Sequence, residues 1–167
     1  ANQVVNLTGG PYTCPNYKAR ARVVFQNKNV MCQYRAVGHA VTINGEGGPI
    51  TVLPFLQDHG DIPSLGFRFG GLAYSCDLSA VVPDSIPLLA NLEVWIVDAL
   101  RYRPHPSHFS LSDALSWIRR IKPQRAILTN LHSDLDYQTL KNELPNHIEP
   151  GFDGFNGTAG ETMPNFG

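Results

Sequence analysis

Cysteine is scarce in this chain. There are three in 167 residues, Cys14, Cys32 and Cys76, an odd count with no close pair. That excludes the disulfide framework of a small secreted domain and gives no zinc–thiolate spacing. The three read as reduced thiols of a cytoplasmic protein. An excess of charge is also lacking: 13 Lys and Arg stand against 14 Asp and Glu, a net charge of -1. Wholesale attraction to nucleic acid or to a membrane surface is excluded, although residues 18–22 and 119–125 hold local basic clusters. No apolar run is long enough to span a bilayer. Residues 1–13 are mixed and polar, without a basic-then-apolar leader. The expectation is a soluble chain with no membrane partner. Asn-x-Ser/Thr tripeptides at Asn6 and Asn156 are common by chance and carry no weight.

What is present is enough for a real core. The apolar fraction is 43%, in a chain of single-domain length. Residues 1–22 are rich in turn formers and read as irregular. Val23-Val24-Phe25 could form a short strand, and residues 26–29 a turn. Val41-Thr42-Ile43 and residues 50–56 read as strands around the turn at Asn44-Gly45 and Gly47-Gly48. Pro54 argues that the second of these is an edge strand or ends there. A polar loop follows, residues 57–61. Residues 65–69 and 72–74 flank Gly70-Gly71, a hairpin signal. Val94-Trp95-Ile96-Val97 and Ala126-Ile127-Leu128-Thr129 are continuous apolar runs, as in strands buried on both faces. Between them Leu111, Ala114, Leu115, Ile118 and Ile121 keep helical spacing. Ser110 and Asp113 make the start signal and Pro123 the stop. Tyr137, Leu140 and Leu144 mark a second helix. Hairpins first, then strand and helix in alternation, predict an α/β (α+β) fold: a mixed sheet with helices on at least one face.

The histidines and aspartates gather at the predicted strand ends. Asp58, His59 and Asp61 follow one strand, and Asp77 follows another. Asp98 ends a third, with His105 and His108 in the loop beyond it. Asn130 and His132 end a fourth, before Asp134 and Asp136. Loops beyond strand ends converge in layered α/β sheets, and these side chains are nitrogen and oxygen ligands suited to zinc or manganese. Singly, each is also an ordinary turn former, helix cap or solvated loop residue.

Five segments occur in one order: Gln57-Asp58-His59-Gly60-Asp61-Ile62-Pro63-Ser64-Leu65-Gly66-Phe67, Leu72-Ala73-Tyr74-Ser75-Cys76-Asp77, His105-Pro106-Ser107-His108-Phe109-Ser110, residues 128–137 and Gly151-Phe152-Asp153-Gly154-Phe155. This series resembles the C-terminal portion of metallo-β-lactamase-fold hydrolases of the phosphoribosyl cyclic phosphodiesterase branch, relatives of the tRNA 3′-processing ribonucleases. The resemblance covers residues 41–155. It leaves 1–40 as a poorly matched segment and 156–167 as a flexible tail. It implies an αββα sandwich with two divalent metal ions, zinc or manganese, at one edge of the sheets. The implied activity is hydrolysis of nucleotide-like or cyclic phosphate esters by two-metal activated water. The implied partner is a small phosphate-ester or nucleotide substrate. A homodimer is among the assemblies the sequence allows.

By position, His59 matches the ligand of the first metal and Asp77 the carboxylate bridging both. His108 matches the histidine that protonates the leaving group or holds the phosphate. Asn130 stands where the family often has the last histidine ligand of the second metal. It ligates through its amide oxygen, or His132 replaces it if the strand continues and both face one way. Asp61 is the candidate to orient His59. Asp136 orients a ligand histidine or caps a helix. Arg101 and Arg103 hold a substrate phosphate or are solvated loop charges. Ser107, Ser110 and Gly60 are small and leave room for substrate.

The family's His-x-His-x-Asp-His motif has no counterpart in residues 1–48, whose one histidine is His39. Three explanations are open: a piece of a longer protein, segments missing from the sequence as written, or a truncated fold member that has lost catalysis and binds a nucleotide or partner. Half of such a sandwich would expose a large apolar sheet face, which favours the first two.

Overall fold

Strand β4 (Gly48–His59) organises the computed structural model, which describes residues 37–154 and, as backbone only, the strands β1 (Ala21–Phe25) and β2 (Lys28–Cys32). Those two pair with each other as an antiparallel hairpin. Lys28 and Asn29 therefore belong to a strand and not to a turn. The irregular reading of residues 1–22 is corrected at Ala21 and Arg22, which open β1; the rest of it and the tail 156–167 lie outside the described residues.

β3 (Val41–Gly45), β4, β5 (Ile62–Phe69) and β6 (Leu72–Ser75) pair antiparallel in succession. β8 (Val94–Asp98), β9 (Arg125–Thr129) and β10 (Ile148–Pro150) then continue the sheet in parallel from β6. Short β7 (Ala80–Val81) pairs with the end of β4. The result is one eight-stranded mixed sheet in the order β10-β9-β8-β6-β5-β4-β3. β10 carried no sequence signal, being three residues that end in proline.

The sequence expectation of a loop at residues 57–61 is corrected. β4 runs through Gln57 and Asp58 to His59, and only Gly60 and Asp61 turn the chain. Polarity misled there because Gln57, although fully buried, donates its amide hydrogens to internal acceptors. Pro54 is tolerated inside this strand for a local reason. β3 has stopped pairing at Val52 and β7 begins only at Gln57, so no ladder bond is lost. Its carbonyl instead accepts from the Gly38 N–H at 2.9 Å.

One face of the sheet carries Phe55, Ala73, Trp95, Val97, Ala126 and Leu128. It packs on Leu89 of the 3-10 helix Pro83–Leu89 and on Ala114 and Ile118 of α1 (Leu111–Ile121). Removing a large apolar side chain of this kind from water stabilises by about 1.5–3 kcal/mol. The helical spacing from Leu111 to Ile121 puts its apolar residues on this contact. Ser110 and Asp113 form a reciprocal capping box, and Lys122 closes the helix in the left-handed conformation before Pro123. α2 (Tyr137–Glu143) buries Leu140. Trp95 satisfies its indole N–H on the Ser75 hydroxyl at 2.9 Å. Among the described residues no helix is long and apolar enough to cross a membrane.

Candidate metal centre

The topology dictates where the polar side chains meet. β4 and β6 both pair antiparallel with β5, so they run the same way. β8 and β9 run parallel to β6. The carboxyl ends of four strands therefore open on one sheet edge. His59 ends β4, Cys76 and Asp77 follow β6, Asp98 ends β8 and Asn130 follows β9. Asp77 and Asn130 both turn the chain with positive φ, 56° and 60°. Asp and Asn tolerate this left-handed backbone better than other side-chain-bearing residues.

The loop after β8 brings the other histidines in. It is closed at its base by the Leu100 N–H on the Phe109 carbonyl (2.9 Å) and by the Leu111 N–H on the Arg101 carbonyl (2.9 Å). His105 and His108 thereby reach the same edge. The His59 and His108 rings meet edge to face with centroids 4.7 Å apart, and His105 lies 5.1 Å from His108. Ligand atoms of His59, Asp77 and His108 all lie within 4.8 Å of one another. So do those of Cys76, Asp77 and Asp98.

The hydrogen bonds fix which atoms are free. His59 Nδ1 lies 2.7 Å from the Ser107 carbonyl, which can only accept, so Nδ1 carries the hydrogen and Nε2 keeps its lone pair. Asp61, expected to orient this ring, is exposed and makes no hydrogen bond among the described residues. The backbone carbonyl takes that role because the 105–108 loop lies directly against Gly60. A Cβ on Gly60 would sit 3.0 Å from Ser107 Cβ, and its φ is +64°. The small size of Gly60 thus serves backbone contact, and Ser110, fully buried, serves the helix cap.

His108 donates from Nδ1 to Asp98 Oδ2 at 2.7 Å, which leaves its Nε2 free as well. Asp98 is completely buried, and its other oxygen accepts from the Asn130 amide at 3.1 Å. Two donors satisfy the carboxylate that burial would otherwise penalise. The backbone beneath Cys76 and Asp77 is held too. Gln57 donates to the Cys76 carbonyl at 3.1 Å, and Ser64 donates to the Asp77 carbonyl at 2.6 Å.

Other expected site residues stand apart. The strand ends at Thr129 and Asn130 turns left-handed, so the alternation that would align His132 with Asn130 fails. The His132 side chain is 60% exposed, 3.1 Å from Asp134, and belongs to neither converging group. Asp136 caps α2 by accepting from the backbone N–H and the hydroxyl of Thr139, both at 2.8 Å. Those bonds hold its carboxyl below the usual value. Arg101 is spent on the carbonyls of Arg103 and Pro104 at 3.2 and 2.9 Å. Arg103 is exposed, and its guanidinium donates to nothing among the described residues.

Sequence reasoning left Asp98, Gln57 and Ser64 without roles. Asp98 could have been found, since it ends an apolar run beside the others. Gln57 and Ser64 gave no usable signal, because their function is a hydrogen bond to the backbone of a distant strand. Burial pushes the Cys76 thiol up to about 11 and the Tyr74 hydroxyl up to about 12, with nearby Asp77 and Asp98 adding to both. Desolvation first, then Arg101 and His108, holds His105 below the usual histidine value.

A metal suits this donor set. Imidazole nitrogens and carboxylate oxygens converge, and His59 and His108 are each oriented by a hydrogen bond at Nδ1.

The fold has solved counterparts. A diphosphatase from the PhnP family is 29% identical with a TM-score of 0.65, over 71% of this chain and 45% of that one. The metallo-beta-lactamase fold protein YhfI from Bacillus subtilis is 15% identical with a TM-score of 0.54, over 68% of this chain and 51% of that one, and shows the fold alone. A protein named octanoyltransferase from Porphyromonas gingivalis is 33% identical over 108 residues, 63% of this chain and 22% of that protein. The chain thus spans under half the length of the diphosphatase and about a fifth of the octanoyltransferase. The family model described as the beta-lactamase superfamily domain matches residues 2–130. With histidine and aspartate side chains gathered on one edge of a mixed sheet and this match over most of its length, the chain belongs to the beta-lactamase superfamily.

Proposed function

We propose that this chain is part of a metal-dependent phosphodiesterase acting on nucleotide-like or cyclic phosphate esters. The observation that carries the reading is the convergence of His59, Asp77 and His108 at one sheet edge, with His108 set on buried Asp98. The 29%-identical diphosphatase supports phosphate chemistry over other hydrolytic chemistry.

His59 and Asp77 would hold divalent metal, zinc or manganese, with Asp77 exposed enough to offer both oxygens. Two such ions, when bound, supply an activated water and neutralise phosphate charge. His108, after taking up a second proton at Nε2 from solvent, would donate it to the departing oxygen as the phosphorus–oxygen bond breaks, while its Nδ1–H stays on Asp98. Arg103, with its guanidinium uncommitted, is better suited than Arg101 to meet the phosphate. Of the two candidates at the second metal, Asn130 is closer to the chemistry, since its amide already reaches Asp98.

The test is metal analysis of the purified 167-residue chain beside hydrolysis of bis-p-nitrophenyl phosphate. Turnover that needs the metal and stops on chelation is expected. Undiminished turnover after thorough chelation sinks the reading. Metal uptake without turnover points to the alternative, a fold member that binds a nucleotide or a partner, favoured by the Asn130 departure.

A further inference from the structure

Cys76 sits inside the centre without a role in the reading above. It follows β6 directly, between Ser75 and Asp77. Its sulfur and the carboxylates of Asp77 and Asp98 form one converging group, and His59, Asp77 and His108 form the other. Asp77 is the one residue common to both. Its Oδ1 is 3.8 Å from Cys76 Sγ. Asp77 thus stands beside His59 in one group and beside Cys76 in the other.

The residue expected to complete the second set is a poor donor. Asn130 spends its amide N–H on Asp98, and its neutral oxygen is a weaker ligand than imidazole. Sulfur is available on the same edge instead. Cys76 is only partly buried, so a cation can reach it. Its backbone is fixed from below by Gln57, and that of Asp77 by Ser64. A ligand held this way loses little freedom on binding.

We propose that Cys76 binds the second divalent cation as a thiolate, in the place that Asn130 does not fill. The sulfur–metal bond forms as the thiol proton is released to solvent. A soft sulfur donor beside hard carboxylates selects zinc over manganese, which prefers all-oxygen and nitrogen surroundings. The inference rests on the metal-site reading above, and the experiment separates the two.

Cobalt(II) is titrated into the 167-residue chain and followed by absorption. The expected result is a sulfur-to-cobalt charge-transfer band in the near ultraviolet, beside weaker visible bands. Cys76→Ser loses the near-ultraviolet band and keeps the visible ones. A chain with Cys14→Ser and Cys32→Ser keeps both. Visible bands without the near-ultraviolet band in the unaltered chain overturn the role of Cys76 and leave the metal site standing. The same conclusion follows if the band survives in Cys76→Ser. No cobalt absorption at all overturns both. A second measurement needs no variant: zinc should slow alkylation of Cys76 by iodoacetamide, read by peptide mass. Equal alkylation with and without zinc counts against the proposal.

Discussion

His108 donates its Nδ1 hydrogen to Asp98 at 2.7 Å, and Asp98 has no contact with solvent. This pair sets the tautomer of the ring and aims Nε2 outward. In the proposed reaction Asp98 is a positioning residue and His108 the proton donor. Asp98→Asn presents an amide where a carboxylate accepted, which favours the wrong tautomer. Turnover should fall by roughly 10- to 100-fold, with metal content retained and the alkaline limb of the pH profile, where a proton donor is lost, displaced. An unchanged pH profile would make Asp98 merely structural.

Removing the ring itself separates acid from ligand. His108→Ala should lower turnover by roughly 10²- to 10⁴-fold. The loss should be larger for an alkyl phosphodiester, whose leaving oxygen needs a proton, than for a p-nitrophenyl ester. An equal loss on both substrates, together with lost metal, would identify His108 as a ligand instead.

The first-metal assignment makes a different demand. His59→Ala and Asp77→Asn should lower the metal bound per chain, whereas Asp61→Ala should not. Asp61 is exposed and touches nothing that orients His59, whose partner is the Ser107 carbonyl. Equal metal content in His59→Ala and the unaltered chain would remove His59 from the ligand set.

Much of this was legible in the sequence, where local chemistry is decisive. The Ser110–Asp113 capping box, the helical spacing after it and the two apolar runs of β8 and β9 all reach the structure as read. The placement of His59 and Asp77 at strand ends, and of His108 in the loop after β8, was legible too. What escaped depends on pairing between distant segments. Gln57 looked like loop because its buried amide nitrogen donates to Ser64 and to the Cys76 carbonyl, both outside its own strand. Nothing local announces that Asn130 turns left-handed and ends the strand, which sets His132 apart from the converging groups. The orienting group for His59 is a backbone carbonyl, which no side-chain pattern records. Spacing gave no sign that the fold sets Cys76 beside two carboxylates.

Gly66 tests the packing under the centre. It pairs with Phe55 across the β4–β5 ladder, and an added Cβ would collide with the Phe55 ring and stand 2.5 Å from Gln57 Oε1. Both neighbours are fully buried and cannot swing into solvent. Gly66→Ala should destabilise the fold by about 1–3 kcal/mol. Denaturant unfolding followed by circular dichroism reads this out. A stability equal to the unaltered chain would mean that the Phe55 ring has room to move.

Asp136 gives the pH dependence, and its sign is determined. The Thr139 N–H and hydroxyl hold the carboxyl below its ordinary value of 3.8. A depressed value in the folded chain means that the folded state favours the ionised form. The stability it adds is therefore present above the ordinary value and is lost as the pH falls through the folded one. Asp136→Ala should lower the thermal midpoint at neutral pH, and the gap to the unaltered chain should close as the medium becomes more acid than 3.8. The same variant should bind metal as the unaltered chain does, because its carboxylate caps α2 and touches no histidine. A gap that stays constant into acid would show that the cap does not work through the charge. A loss of metal would return Asp136 to the orienting role first expected of it.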